Sequence, residues 1–274
     1  MNAIRRNRSV QIGMALLALV VVTAVLAPPI AGMDPLRMTP EDRLTSPVAA
    51  HPFGTDMFGR DILARTLHGG RVSLSVGLMV AAVALAAGLV IGLVAGYVRA
   101  VDRIVMRVMD GIMAIPGILL AIALIALSGA TLTTVVVAIA VPEVPRVVRL
   151  VRSVVLAVRE EPYVEAAVAA GARLPRLLVR HVLPNTLAPL IVQGSYVCAS
   201  AMIVESILGF LGAGMPPEVP SWGNVMAEGR TFFQIAPWIL FFPGAFLAVT
   251  VLSVNLLGDG LRDTLDPRLR GRFQ

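Results

Sequence analysis

The sequence contains no lysine, and all 23 of its basic residues are arginine. A phosphate-binding loop of the G-x-x-x-x-G-K-[ST] type needs a lysine that reaches the terminal phosphates, so this chain cannot contain such a loop. Catalysis through a lysine Schiff base is excluded for the same reason.

Cysteine and histidine are almost as scarce as lysine. Cys198 is the only cysteine, which excludes an intrachain disulfide and a thiolate metal cluster. The 3 histidines, His51, His68 and His181, do not share metal-ligand spacing. We therefore predict no metal site and no bound cofactor in this chain, and we interpret Cys198 as a small core residue.

Charged residues make up only 15% of the chain, whereas hydrophobic residues make up 57% and the mean hydropathy is +0.83. One soluble domain of 274 residues cannot bury that much apolar surface. We therefore predict an all-α integral membrane protein that contacts membrane lipid. The arginines lie at the ends of apolar segments, as membrane topology requires, so we predict no nucleic-acid partner despite the basic composition.

Apolar runs predict six transmembrane helices, each near the ~20 residues that cross a bilayer. Five of them lie at about 10–27, 72–97, 109–127, 187–211 and 237–257, and the fourth helix in order starts near 131 and runs to the arginines that begin at 146. The first run follows an arginine-rich start and could be a cleaved signal peptide, but its length favours a retained helix. Pro116 breaks the third predicted helix, and Pro142 and Pro145 kink the fourth.

Arginine clusters predict the orientation of these helices. They lie at the N-terminus, at 99–107, at 146–180 and in the C-terminal tail, and the positive-inside rule places all of them in the cytoplasm. Both termini are therefore predicted to be cytoplasmic. The predicted divisions are an N-terminal tail and first helix (1–31), an external loop (32–70), a core of five helices (71–258) that includes a cytoplasmic loop (153–185), and a cytoplasmic tail (259–274).

Small residues recur every four positions in the second predicted helix, at Ala84, Gly88, Gly92 and Gly96. This spacing places them on one helix face, where they let another helix approach closely. The alternative is that glycine is simply common in membrane helices.

The cytoplasmic loop 153–185 has the pattern of two short helices. Pro162 can open the first and Gly171 can close it, while leucines at helical spacing after Gly171 predict the second. Alanines at 166, 167, 169 and 170 leave a surface with little side chain, which could enter a groove of another protein. Spacing alone leaves this docking function open against an ordinary hairpin on the membrane surface.

Several segments of the sequence carry a family resemblance. Glu165-Ala166-Ala167, Gly171 and Leu183-Pro184 resemble the EAA loop of bacterial ABC importer permeases, with His181 in place of the usual aliphatic residue. Further similar segments follow in the family's order: His51–Asp56, Gly59–Asp61, Arg149–Arg152, Arg180–Asn185, Ser221–Asn224, Asn255–Asp263 and Leu265–Arg268. Together they resemble the C-type permease of the dipeptide/oligopeptide/nickel ABC importer family.

This resemblance implies a type I importer permease of the bacterial inner membrane that forms half of a translocation pore and is not itself an enzyme. A sister permease would form a heterodimer with it, two cytoplasmic ATPases would bind ATP and Mg and dock on the EAA loops, and an external solute-binding protein would deliver the solute. In the loop, the resemblance implies Glu165 as a polar anchor, Ala166 and Ala167 as close-contact positions and Gly171 as the turn. Leu183 precedes Pro184, which would end the second helix.

Glu205 lies within the fifth predicted span, where a lone carboxylate is costly and should face the bundle interior, water or a partner. A pore-lining role and a structural hydrogen bond are both open. Trp222 and Trp238 flank the external side and are interpreted as part of an aromatic belt.

Four functional hypotheses follow. The leading one is a permease subunit for di- or oligopeptides, and a second is the same machinery for nickel, glutathione or another small solute. An ion-coupled secondary transporter would be expected to show repeated halves with broken helices and several embedded charges. An intramembrane enzyme would need a nucleophile with its base, or paired acids, inside the bilayer. Neither of the last two hypotheses explains the EAA loop.

Overall fold

The computed structural model describes residues 8–265, and in that range it is helical, with only isolated bridges at Val48–His51 and Thr55–Asp61 in place of strands. The predicted arginine clusters at Arg5 and Arg6 and at Arg268 and beyond lie outside the described residues.

Eleven α-helices follow one another within the described range. They are α1 (Arg8–Val25), α2 (Ala27–Ala31), α3 (Ile62–Tyr97), α4 (Arg99–Met113), α5 (Gly117–Ser128), α6 (Leu132–Val158), α7 (Pro162–Ala169), α8 (Leu174–Leu177), α9 (Leu183–Phe210), α10 (Trp222–Gly229) and α11 (Trp238–Leu265). Short 3-10 turns lie at Pro40–Asp42 and Arg230–Phe232, and a π-helical turn at Leu178–Val182 joins α8 to α9.

Four helical segments are long and apolar enough to cross a membrane: α1, α3, the continuous run Leu174–Phe210 and α11. A fifth span forms if α4 and α5, which meet at a bend of 88°, are taken together. The described residues thus support four or five spans by this measure. Six spans stay a prediction because α6, which carries Glu143 and three arginines, does not meet it.

The small residues of α3 pack against α6, which confirms the predicted close contact. A Cβ atom built on Gly92 would lie 2.7 Å from the Val151 Cβ, and one on Gly96 would lie 2.6 Å from the Val155 Cβ. Ala84 is fully buried in the same core cluster. Glycine is needed at these positions because any side chain would separate the two helices.

The first helix packs against the last. A Cβ on Gly13 of α1 would lie 2.9 Å from the Ser253 carbonyl oxygen of α11, and one on Gly260 would lie 2.2 Å from the Val10 Cγ2. Arg71, in the third turn of α3, also donates through Nε to the Ala24 carbonyl oxygen at 2.7 Å. Retention of the first helix stays a prediction.

Charged side chains join the segment that precedes α3 to α10. Asp56 and Arg65 are fully buried, and Arg65 Nη1 donates to Asp56 Oδ2 at 2.7 Å. Arg60 Nε donates to the same oxygen at 2.7 Å, and both arginines also pair with Glu228 of α10. Two acids and two bases balance in charge, which limits the cost of burying them.

The aromatic-belt interpretation was wrong for Trp222. Its side chain is fully buried, and its Nε1 donates to the Thr66 carbonyl oxygen at 2.9 Å. The reason is that α10 folds back against α3 and α9, so that the start of α10 lies inside the bundle. Trp238 lies closer to the expected position, half-buried, with Nε1 donating to the Thr55 carbonyl oxygen at 3.1 Å.

Candidate functional site

The short helix α7 forms for local reasons that the sequence shows. Pro162 stands in the first turn, where its missing N–H costs nothing, and Glu165 lies near the positive end of the helix dipole. After the helix, Gly171 takes a φ of 77°, and the Ala172 N–H donates to the Ala167 carbonyl oxygen at 3.0 Å. Many helices end with a left-handed glycine followed by a hydrogen bond of this kind, which spans five residues. The structure therefore confirms the predicted start and end of this helix.

The surface of α7 is almost entirely free within the described part of the chain. Val164 is the one buried residue in this helix and belongs to the main core cluster. Glu165 and Ala166 are exposed, and Ala167 is half-buried. A Cβ atom on Gly171 would find no heavy atom within 4 Å among the described residues. The helix therefore buries one side chain and presents small residues outward.

The second half of the loop differs from the prediction that Pro184 would end a helix. The backbone stays helical from Leu174 to Phe210, and Pro184 lies in the first turn of α9. A proline inside a continuous α-helix clashes with the carbonyl group four residues earlier. The π-helical turn Leu178–Val182 comes directly before it and widens the backbone there. Leu183 is half-buried at the junction.

The two parts of the loop are held together at their base. Asn185 Nδ2 donates to the Tyr163 hydroxyl oxygen at 3.1 Å and to the His181 carbonyl oxygen at 2.7 Å. Val182 is fully buried in the core cluster that also contains Val164. These contacts tie α7 to the start of α9, a helix that runs through the bundle.

Glu205 of α9 is 1% exposed. Its Oε2 accepts a hydrogen bond from the Ser73 hydroxyl of α3 at 3.0 Å, whereas its Oε1 is buried without a partner in the described residues. The Trp222 N–H at the start of α10 donates to the Ser73 hydroxyl at 3.3 Å. The carboxylate therefore joins three helices inside this chain, and a role in a pore stays a prediction.

A second buried carboxylate, that of Glu143, was not predicted from the sequence. Glu143 lies between the two prolines of α6 and is 7% exposed. Its carboxylate accepts from Arg146 Nη1 at 3.1 Å and from the Ser200 hydroxyl of α9 at 3.1 Å. A cavity of about 420 Å³ opens beside this group. The only sequence signal was a carboxylate within a predicted span, next to helix-breaking residues.

Within residues 8–265, no group of three or more His, Cys, Asp and Glu side chains is arranged to hold a metal ion. Cys198 is buried there as a free thiol. Two features of the described residues are therefore candidate sites: the exposed helix α7 and the cavity beside Glu143.

Known proteins are similar to this chain over most of its length. Residues 88–271 match the family model described as "Binding-protein-dependent transport system inner membrane component". The chain is 56% identical over 268 residues to the probable peptide ABC transporter permease protein y4tQ of Sinorhizobium fredii (strain NBRC 101917 / NGR234), which covers 98% of this chain and 92% of that protein. It is 43% identical over 274 residues to the dipeptide transport system permease protein DppC of Escherichia coli (strain K12), covering 97% and 91%.

The fold also has a solved counterpart. A chain of the MetNI methionine ABC transporter, in an inward facing conformation, matches with a TM-score of 0.60 and 19% identity over 73% of this chain and 96% of that one. At this identity the likeness shows a shared fold alone.

Proposed function

This chain belongs to the family of binding-protein-dependent transport system inner membrane components, and from that premise we propose that it is the peptide-importing permease half of an ATP-driven ABC importer. The observation that carries the proposal is the helix α7, where Glu165 and Ala166 are exposed beside the half-buried Ala167, and where the following Gly171 has open space around it among the described residues. A surface of this kind suits a groove on a soluble subunit.

The proposed topology has six spans with both termini in the cytoplasm. Four of these spans are the long apolar segments α1, α3, Leu174–Phe210 and α11. The fifth is α4 with α5, taken as one bent span, and the sixth is α6. Arg149 and Arg152 near the end of α6, together with Arg99 and Arg103 of α4, support a cytoplasmic position for this end of the bundle. The fold shared with the MetNI chain fits a type I importer permease.

The proposed partners divide the work of transport. A sister permease supplies the other half of the pore as a heterodimer, two ATPases bind ATP and Mg and dock on the EAA loops, and an external binding protein delivers solute. The absence of lysine supports a separate ATPase chain. To move a pore between mostly inward-open and mostly outward-open states takes about 5 kcal/mol of differential binding, which closure of an ATPase pair on α7 can supply through α9.

The solute is proposed to be a di- or oligopeptide because the relatives named above are a peptide and a dipeptide permease. The same machinery serving nickel, glutathione or another small solute is the second candidate, and an ion-coupled secondary transporter is the candidate from a different class.

One purification tests these candidates together. The tagged chain is purified from its host in mild detergent, its partners are identified by mass spectrometry, and the assembly is reconstituted with the binding protein in liposomes. We expect a second permease and ATPases in the preparation, and uptake of labelled dialanine that requires ATP and exceeds uptake of Ni²⁺ or glutathione. A chain that emerges alone and transports on an ion gradient without nucleotide would establish the secondary transporter instead.

A further inference from the structure

The cavity beside Glu143, here called the α6 cavity, lies at the bend between α4 and α5. Its wall includes Pro142 of α6, residues on both sides of the 88° bend, and Ser200 and Val204 of α9. A Cβ on Gly117, at the start of α5, would lie 3.2 Å from the Pro142 Cβ, so α5 contacts α6 beside the bend. At about 420 Å³ the cavity falls within the usual range of small-molecule sites.

The wall of the α6 cavity contains one acid and one base among its twelve residues, Glu143 and Arg146, and the rest are apolar apart from Ser200. Such a site has no net charge and two opposite poles. A ligand that carries one positive and one negative group matches it, whereas a simple cation or anion would leave one pole unpaired.

The ion pair itself is asymmetric. The Glu143 side chain is 9% exposed, whereas the Arg146 side chain is 59% exposed. Arg146 reaches both carboxylate oxygens through the single atom Nη1, at 3.1 and 3.2 Å, and its remaining nitrogens form no hydrogen bond within the described residues. A purely structural Arg–carboxylate pair is commonly bidentate through two nitrogens. Here the guanidinium keeps donors free for another anion.

Ser200 gives Glu143 a fixed position. Its hydroxyl donates to Glu143 Oε1 at 3.1 Å, so this oxygen stays held by α9 when Arg146 turns away. Oε2 accepts a hydrogen bond from Arg146, and it becomes free for an ammonium group when Arg146 turns away. The carboxylate is thus positioned before a ligand arrives, which lowers the cost of binding.

We propose that the α6 cavity binds a zwitterionic short peptide by its two ends, with Glu143 accepting from the terminal ammonium and Arg146 donating to the terminal carboxylate. The two side chains start about one helix turn apart, and Arg146 can extend outward from there. An extended di- or tripeptide spans at most about 7–11 Å, which this arrangement can cover. The inference rests on the proposed function, since it places a contact for the transported solute in the wall of this subunit.

The test measures direct binding, without the external binding protein. The purified complex of both permeases and the ATPases is placed in lipid nanodiscs, and saturation-transfer NMR compares dialanine, N-acetyl-dialanine and dialanine amide. We expect each blocked peptide to bind about 10- to 100-fold more weakly than dialanine, the usual effect of losing a charge-assisted hydrogen bond.

Variants assign the two ends. Glu143→Gln should abolish the discrimination against N-acetyl-dialanine and leave that against the amide, and Arg146→Gln should do the reverse. Arg149→Gln is the matched control, because Arg149 pairs with the exposed Asp110 and is absent from the cavity wall. It should leave the discrimination against both blocked peptides unchanged. A structural role of the pair would not produce a loss specific to one end of the peptide.

The proposal is overturned if the unmodified complex binds the three peptides equally or binds none of them. That result is distinct from failure of the proposed function, because ATP-dependent uptake with the binding protein is measured separately, on the same purified complex reconstituted in liposomes. If uptake is intact and end-selective binding is absent, only the α6-cavity assignment falls.

Discussion

The small residues of α3 and those of α7 with the turn after it have opposite surroundings. In α3, Gly88, Gly92 and Gly96 lie under valines of α6, with no room for a methyl group. Ala166 of α7 is exposed, and in the turn after α7 a Cβ on Gly171 would meet no other atom of the described residues within 4 Å. The same residue types thus serve contact within the chain in one region, and leave a surface uncovered in the other.

The difference shows that a run of small residues does not by itself say which contact it makes. A buried run costs stability when it is enlarged, because the neighbouring helix must move. Enlarging an exposed run costs the chain almost no stability, and we propose that the small residues of α7 serve a contact outside the chain. Substitutions in the two regions should therefore separate stability from assembly.

The largest loss of stability is expected for Gly92→Leu. Its Cβ would lie 2.9 Å from the Val148 carbonyl oxygen, a backbone atom that cannot rotate away. Separation of α3 from α6 should cost about 1–3 kcal/mol or more and lower the thermal unfolding midpoint of the detergent-solubilised protein.

Gly111→Leu is the matched control for this change, since Gly111 is an exposed helical glycine with nothing within 4 Å of its Cβ in the described structure. It should leave the midpoint nearly unchanged. Equal losses in the two variants would show that α3 and α6 are not in the contact described.

A smaller and local effect is expected for Gly171→Val. A residue with a side chain at a φ of 77° costs about 1–2 kcal/mol. The cost falls on the turn after α7, so the amide of Ala172 should exchange with deuterium faster while the core amides do not change.

Ala170→Val controls for the added side chain, because Ala170 is exposed at an ordinary φ of −75°. It should leave exchange at Ala172 unaltered. If both valines accelerate exchange equally, crowding rather than the left-handed backbone would be the cause.

The smallest effect on stability is expected for Ala166→Arg. An exposed substitution away from caps and buried groups usually changes the free energy of unfolding by less than about 0.5 kcal/mol. Thermal unfolding of the isolated chain checks this, and a loss as large as that of Gly92→Leu would mean that Ala166 is buried within the chain.

Local patterns were enough to predict several features. The four-residue spacing from Ala84 to Gly96 predicted the contact of α3 with another helix, and Pro162 and Gly171 predicted the bounds of α7. Each of these depends on residues close together in the sequence, where helix geometry fixes which face a side chain occupies.

Features that join distant segments could not be predicted in this way. The pairing of Arg65 with Glu228 and the cavity shared by α4, α5, α6 and α9 depend on how helices pack. The π-helical turn before Pro184 was missed for a local reason, because a proline favours but does not compel a helix end. Trp222 was misassigned because hydropathy does not show that α10 folds back into the bundle.

The central claim is that the exposed small-residue surface of α7 is where the ATPases dock. The most direct measurement is the amount of ATPase that co-purifies with the tagged chain carrying Ala166→Arg, compared with one carrying Ala49→Arg. Ala49 is also exposed and lies in the predicted external loop. We expect Ala166→Arg to lower ATPase capture by about tenfold or more, with unfolding unchanged, and Ala49→Arg to have no effect. Full ATPase capture by a correctly folded Ala166→Arg chain would contradict the claim.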